Sequence, residues 1–192
     1  MGTRSYIGYS SWDEDGITAS YCHYDGYLQY NGLMLYGFYS DIIKVRRLVG
    51  TGYISSLELT TAESNTKQQE PEKYEDLNSF MKALSPLHIE YVYLFIDKPQ
   101  IDAKGWFVAR SDQQNNGFFR FGDEEAFFHT CFKPLGHALK NIELPDWYDS
   151  WRLPKNWVED SKENVPMSAN GEYSVLTSQT QWHVPTVISD HA

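Results

Sequence analysis

The tightest constraint on the fold lies near the start of the chain. Ser5 to Ser10 and Ile17 to Cys22 are runs of β-forming residues separated by Trp12-Asp13-Glu14-Asp15-Gly16. The Asp-Gly pair supplies a residue that tolerates positive φ, so the spacing predicts a β-hairpin. The second strand ends in Tyr21-Cys22-His23-Tyr24-Asp25-Gly26-Tyr27, where Asp25-Gly26 breaks the extended run and turns the chain toward a helix.

Downstream of the turn, Leu28 to Tyr39 is too apolar for a loop and is expected to be helical, although Gly32 and Gly37 each cost about 1 kcal/mol relative to Ala. Ser40 or Asp41 can cap a second helix, in which Ile42, Val45, Leu48 and Val49 recur at helical spacing before Gly50 closes it. Thr60 to Glu70 has no apolar periodicity and reads as a mobile surface loop. Pro71 is expected to open a third helix with the stripe Leu77, Phe80, Met81 and Leu84. Glu90 to Ile96, Gly105 to Arg110 and Gly117 to Phe121 then read as a meander, followed by a short segment through Phe127, Phe128 and Phe132 to Pro134.

Locally paired strands with helices grouped between two hairpins predict an α+β fold. Its sheet is expected to be mainly antiparallel, an N-terminal hairpin plus a C-terminal meander, with about three helices packed on it. Residues 1–144 form one expected domain, and 145–192 an extended, Trp-containing acidic arm. From Glu143 onward the chain has eight acidic and three basic residues, and Pro145, Pro154, Pro166 and Pro185 prevent long helices. Disordered tails are poor in aromatics, so Trp147, Trp151, Trp157 and Trp182 point to an arm that packs on its own domain or on another chain.

Sixteen basic against 26 acidic residues give a net charge of -10, which opposes binding to phosphate backbones and disfavours a nucleic-acid partner. No stretch has the length of a membrane span, and the first residues lack the apolar core of a signal peptide, so the expected compartment is a reducing cytoplasm without membrane association. Cys22 and Cys131 do not form a disulfide framework or a CxxC pair.

The candidate chemistry centres on Cys22, His23 and Asp25. Thiol, imidazole and carboxylate are the ingredients of nucleophilic catalysis, but adjacent strand residues point to opposite faces, so His23 is separated from Cys22. His23 with Asp25, two residues apart, is the better pairing, the carboxylate orienting the imidazole. The competing reading makes Cys22 a small buried hydrophobe and Asp25-Gly26 a helix-entry turn. Arg4 can pair with Asp25, hold a ligand anion or sit at a sheet edge. A metal site from Cys22 or His23 with His129 and Cys131 lacks zinc-like spacing, and no cofactor motif occurs, so neither metal nor cofactor is expected.

Gly2-Thr3-Arg4-Ser5-x-Ile7, Tyr21-Cys22-His23-x-Asp25-Gly26-Tyr27, Gly32, Leu35, Tyr39, Lys44-Val45 and Gly52-x-Ile54-Ser55-Ser56-Leu57 together resemble a family of small proteins encoded by bacteriophages and prophages. The resemblance covers roughly the first 57 residues. Tyr24 stands where that pattern usually has Trp, and Leu28 where it often has Pro. It implies a phage protein made in the host bacterial cytoplasm and acting by binding host or phage proteins, and it assigns no catalytic residue. The leading expectation is therefore a non-catalytic accessory protein with a macromolecular partner, Arg4, Tyr27, Trp147, Trp151 and Trp157 being candidate binding residues. The alternatives are a hydrolase or transferase centred on His23 and Asp25, and a virion component whose arm embraces a neighbouring subunit.

Overall fold

The computed structural model describes residues 2–84, 87–98, 103–111, 132–140 and 142–148. The first hairpin forms as its pattern requires, with β1 (Ser5–Ser11) antiparallel to β2 (Ile17–Cys22) and Gly16 at φ 71 in the turn. A π-helical turn over Leu28–Gly32 leads into α1 (Leu33–Phe38), so the expected helix is present but begins wide and ends before Tyr39. The second helix, α2 (Ile42–Val49), is capped by Asp41, whose side chain accepts from the Lys44 backbone N–H at 2.9 Å. Such a cap stabilises by about 1 kcal/mol. Val45, Leu48 and Val49 are its buried stripe.

The chain next forms β3 (Gly52–Ser56), β4 (Asn65–Gln68) and β5 (Glu72–Tyr74), followed by α3 (Leu77–Leu84). Two expectations are corrected here. Part of the segment read as a mobile loop is strand β4, paired antiparallel with β3. The third helix starts not at Pro71 but at Leu77, where Asp76 accepts from Ser79 N at 2.7 Å, because residues 72–74 are held in the sheet against β2. Its Leu77, Phe80, Met81 and Leu84 are fully buried, each worth about 1.5–3 kcal/mol of transfer free energy.

The meander supplies β6 (Tyr91–Lys98) and β7 (Ala103–Arg110), with β8 (Phe132–Pro134) pairing β7 and a single turn, α4 (Leu135–Ala138), after it. The expected strand from Gly117 to Phe121 and the segment through Phe127 and Phe128 lie outside the described residues.

Among the described residues the sheet has eight strands, in the order β4-β3-β2-β1-β6-β7-β8, with β5 also against β2. It is mixed: five of its seven pairings among the described residues are antiparallel, as expected, and two are parallel, which the expectation did not include. β1 runs parallel to β6 over seven registered pairs, from Ser5 opposite Tyr91 to Ser11 opposite Asp97, and β2 runs parallel to β3. Both parallel junctions arise because helical crossovers carry the chain back to the same end of the sheet before the next strand starts.

Side-chain alternation divides the core into two layers. On one face Val92, Leu94 and Ile96 of β6 pack with Tyr6, Ile17, Ala19 and Phe107 beneath α3. On the other, Tyr91, Tyr93 and Phe95 pack with Ile7, Cys22, Trp106 and Val108 beneath α1, α2 and α4. No helix among the described residues is long and apolar enough to cross a membrane.

Candidate functional site

The turn after β2 divides the residues that the sequence groups together. Cys22 points into the layer under α1 and α2 and is fully buried. Asn31 Nδ2 donates to Cys22 Sγ and to Ser5 Oγ, both at 3.3 Å, and the thiol donates to the Tyr24 carbonyl oxygen at 3.6 Å. Burial pushes the thiol up to about 11, against the lowering effect of the Asn31 and Ser5 contacts. A thiol there is roughly a thousandth ionised at pH 8. Cys22 is therefore expected to resist iodoacetamide at pH 8 in the folded protein and to react once urea unfolds it, with peptide mass mapping separating it from Cys131. Alkylation of the native protein at the rate of a free cysteine would overturn this assignment.

His23 continues the pairing beyond the end of β2, since its backbone N–H donates to Ile54 O at 2.9 Å and that of Tyr24 to Ser55 O at 3.0 Å. Its imidazole turns to the same side of the sheet as Tyr21, and Nδ1 shares a 2.9 Å hydrogen bond with the Tyr21 hydroxyl. The partner predicted for His23 was Asp25, but among the described residues no ion pair joins those two, or Arg4 to Asp25. The cause is the backbone. Asp25 adopts φ 57, and this left-handed residue swings its carboxylate away from the strand face.

On the far side of the turn, the Asp25 carboxylate lies beside Tyr27, whose pKa is raised by burial first and then by that charge. Tyr30 follows, its hydroxyl donating to Glu58 Oε1 at 3.3 Å, and burial followed by Glu58 pushes it up to about 12. The Trp147 ring tilts against Tyr30 with centroids 5.0 Å apart, and the adjacent Tyr148 is buried in the second core layer. Trp147 and Tyr148, at the start of the stretch read from sequence as an arm, thus pack on the residues that precede them. Trp151, Trp157, Trp182, His129 and Cys131 lie outside the described residues.

The residues that do come together form an aromatic surface on the α3 side of the sheet, beyond the helix itself. Parallel pairing sets Tyr53 opposite Tyr21, with ring centroids 5.6 Å apart. Tyr21 also meets Tyr6 and His23 edge-on at 5.7 and 5.9 Å, and His23 meets Tyr24 at 4.3 Å. Tyr6 is buried in the α3 layer, Tyr21 packs at its margin and Tyr53 belongs to neither layer. Two cations flank the rings. Lys67 Nζ sits 5.3 Å from the Tyr53 centroid, and exposed Arg4 is close enough for its charge to oppose the rise that burial imposes on the Tyr21 pKa. Tyr24, at the rim, is 46% exposed.

The sequence singles out Arg4 and His23 as candidates but not Tyr21, Tyr24, Tyr53 and Lys67, which the fold brings beside them. The tyrosine spacing around Cys-His was visible. The arrival of Tyr53 and Lys67 depends on two strand pairings that no local signal announces.

The opposite end of the hairpin is dominated by charge. Arg46 bonds Asp13 and Ser11 Oγ, approaches Glu14 at 3.5 Å and lies over the Tyr9 ring, whose hydroxyl donates to Glu14 at 2.9 Å. A cleft of about 370 Å³ beside it is lined by Tyr9, Glu14, Thr18, Glu70 and Lys73. No family model, no curated protein and no solved structure matches the chain.

Proposed function

We propose that this is a phage-encoded accessory protein, working in the host cytoplasm, that acts by binding another protein through the aromatic surface of Tyr21, His23, Tyr24 and Tyr53. The observation that carries the reading is that this ring cluster is half-exposed on a sheet face that α3 leaves uncovered, with Arg4 and Lys67 beside it. Tyrosine and arginine are enriched in interface cores, where rigid rings contribute contact area at small entropic cost. A protein partner suits the chain better than a nucleic acid, because a net charge of -10 repels phosphate backbones. The phage assignment is supported by the Gly-Thr-Arg-Ser start and the Tyr-Cys-His-x-Asp-Gly-Tyr turn. The hydrolase or transferase reading is not carried forward, since His23 is held by Tyr21 and the carboxylate meant to orient it faces elsewhere.

The test uses the double variant Tyr24→Ala/Tyr53→Ala, in which both side chains are at least partly exposed and the fold is expected to survive. Affinity capture from infected host lysate with the unaltered chain identifies the partner, and titration with the purified partner measures affinity. Removal of two interface aromatics is expected to weaken binding at least tenfold. Unchanged affinity in a variant with wild-type circular dichroism would refute the surface, and an absence of any captured partner would refute the function.

A further inference from the structure

Ser10, Ile96 and Gly105 form one row across three strands. Ser10 is registered with Ile96 in the parallel β1 and β6 pair, and Ile96 with Gly105 in the antiparallel β6 and β7 pair. Ile96 belongs to the α3-side layer, so the whole row faces that side, and Lys98, two residues along β6, faces it too.

Two features of this corner are costly for a protein to keep. Ser10 is 1% exposed and Lys98 is 2% exposed, yet among the described residues neither Ser10 Oγ nor Lys98 Nζ has a hydrogen-bond partner. A buried polar group without a partner forfeits its hydration for nothing in return, and a buried ammonium forfeits far more. The third feature is room. Gly105 sits at φ 123, a conformation that a side chain rarely adopts, and among the described residues no atom lies within 4 Å of the place its Cβ would occupy. Gly105 is itself partly exposed, which gives the corner an outlet to solvent.

We infer that Ser10 and Lys98 form a binding site for a small oxyanion, a carboxylate or a phosphate, which enters beside Gly105. Both orphaned groups can donate, and the lysine ammonium can do nothing else and is cationic, so an acceptor with negative charge is what satisfies both together. Asp13 and Asp15 on the hairpin tip act on Lys98 at longer range and favour its charged form, while burial favours the neutral one. A bound anion hydrogen-bonded to the ammonium supplies what the aspartates leave undone. The site lies at the opposite end of β1 from Arg4 and the aromatic surface, and it stands or falls independently of the protein-binding reading.

The probes are inorganic phosphate and acetate, each titrated against the full chain at ionic strength matched with sodium chloride. The melting temperature of the wild-type protein is expected to rise saturably with at least one of them, as ligand linkage to the folded state requires. Phosphate also stabilises proteins by exclusion from their surfaces, so the informative quantity is the difference from Lys98→Met, which experiences the same exclusion but has no ammonium. Ser10→Ala, a smaller change that keeps the lysine, is expected to weaken the responding anion about tenfold or more. A response to phosphate alone identifies a tetrahedral oxyanion, and one to acetate alone a carboxylate. Should Lys98→Met fail to fold, the side-chain ¹⁵N resonance of Lys98 in the wild-type protein, expected to move on addition of the responding anion, reads the site directly. No saturable response to either anion, or an equal response in the variants, would overturn the inference and leave only water in the corner.

Discussion

Replacement of Tyr93 by alanine is expected to cost about 4 kcal/mol or more of folding free energy, the largest effect of any single change considered. Tyr93 is fully buried on β6, flanked in the sheet by Ile7 and Val108, and its ring stacks on Tyr91 with centroids 6.1 Å apart. Its hydroxyl donates to the Gly26 carbonyl oxygen at 2.7 Å, so one residue ties the middle of the sheet to the turn that shapes the candidate site. Truncation opens a ring-sized cavity and also orphans a buried acceptor. Tyr93→Phe separates the two contributions, because it keeps the ring and is expected to cost only about 1–2 kcal/mol. Urea unfolding of both variants gives the comparison. A loss below 1 kcal/mol for the alanine variant would mean that the aromatic layer collapses to fill the space.

Gly16→Ala is the second large effect, expected at about 3 kcal/mol. At φ 71 any side chain is strained, and a Cβ added there would overlap the Tyr74 carbonyl oxygen and lie 2.9 Å from that of Glu75. The first hairpin therefore presses backbone to backbone on the link between β5 and α3, and neither side can yield without moving a sheet strand or the Asp76 cap. Thermal unfolding followed by circular dichroism reads the outcome. An unchanged melting temperature would show that the hairpin tip swings freely of that link.

The elements that could be read from sequence are those whose signals are local. Asp15-Gly16 announced the first hairpin, Asp41 and Gly50 bracketed α2, and the Leu77, Phe80, Met81, Leu84 spacing marked α3. What escaped is non-local or deliberately inconspicuous. Asn65, Lys67 and Gln68 of β4 are exposed and polar, as befits an edge strand that must not recruit other chains, so no apolar alternation betrays it. The parallel joins of β1 to β6 and β2 to β3 depend on where the crossovers deliver the chain, which residue pattern does not encode. The same limit governs the candidate site. Opposed facing of Cys22 and His23 followed from strand geometry, whereas a His23 and Asp25 partnership assumed that the strand continued through residue 25, and the left-handed Asp25 ends it.

The placement of β1 also governs how the molecule is made. β1 is an inner strand of the finished sheet, and its partner on one side, β6, is synthesised well after it, Tyr91, opposite Ser5, lying 86 residues further along the chain. At about 5–20 residues per second, β1 waits several seconds with one edge open after β2 has sealed the other. During that interval a nascent hairpin exposes the backbone edge that β6 will later cover, together with Ile7 and Tyr9. Translation thus passes through a stage in which a chaperone, or a second nascent chain on the same message, competes with the protein's own β6 for that edge.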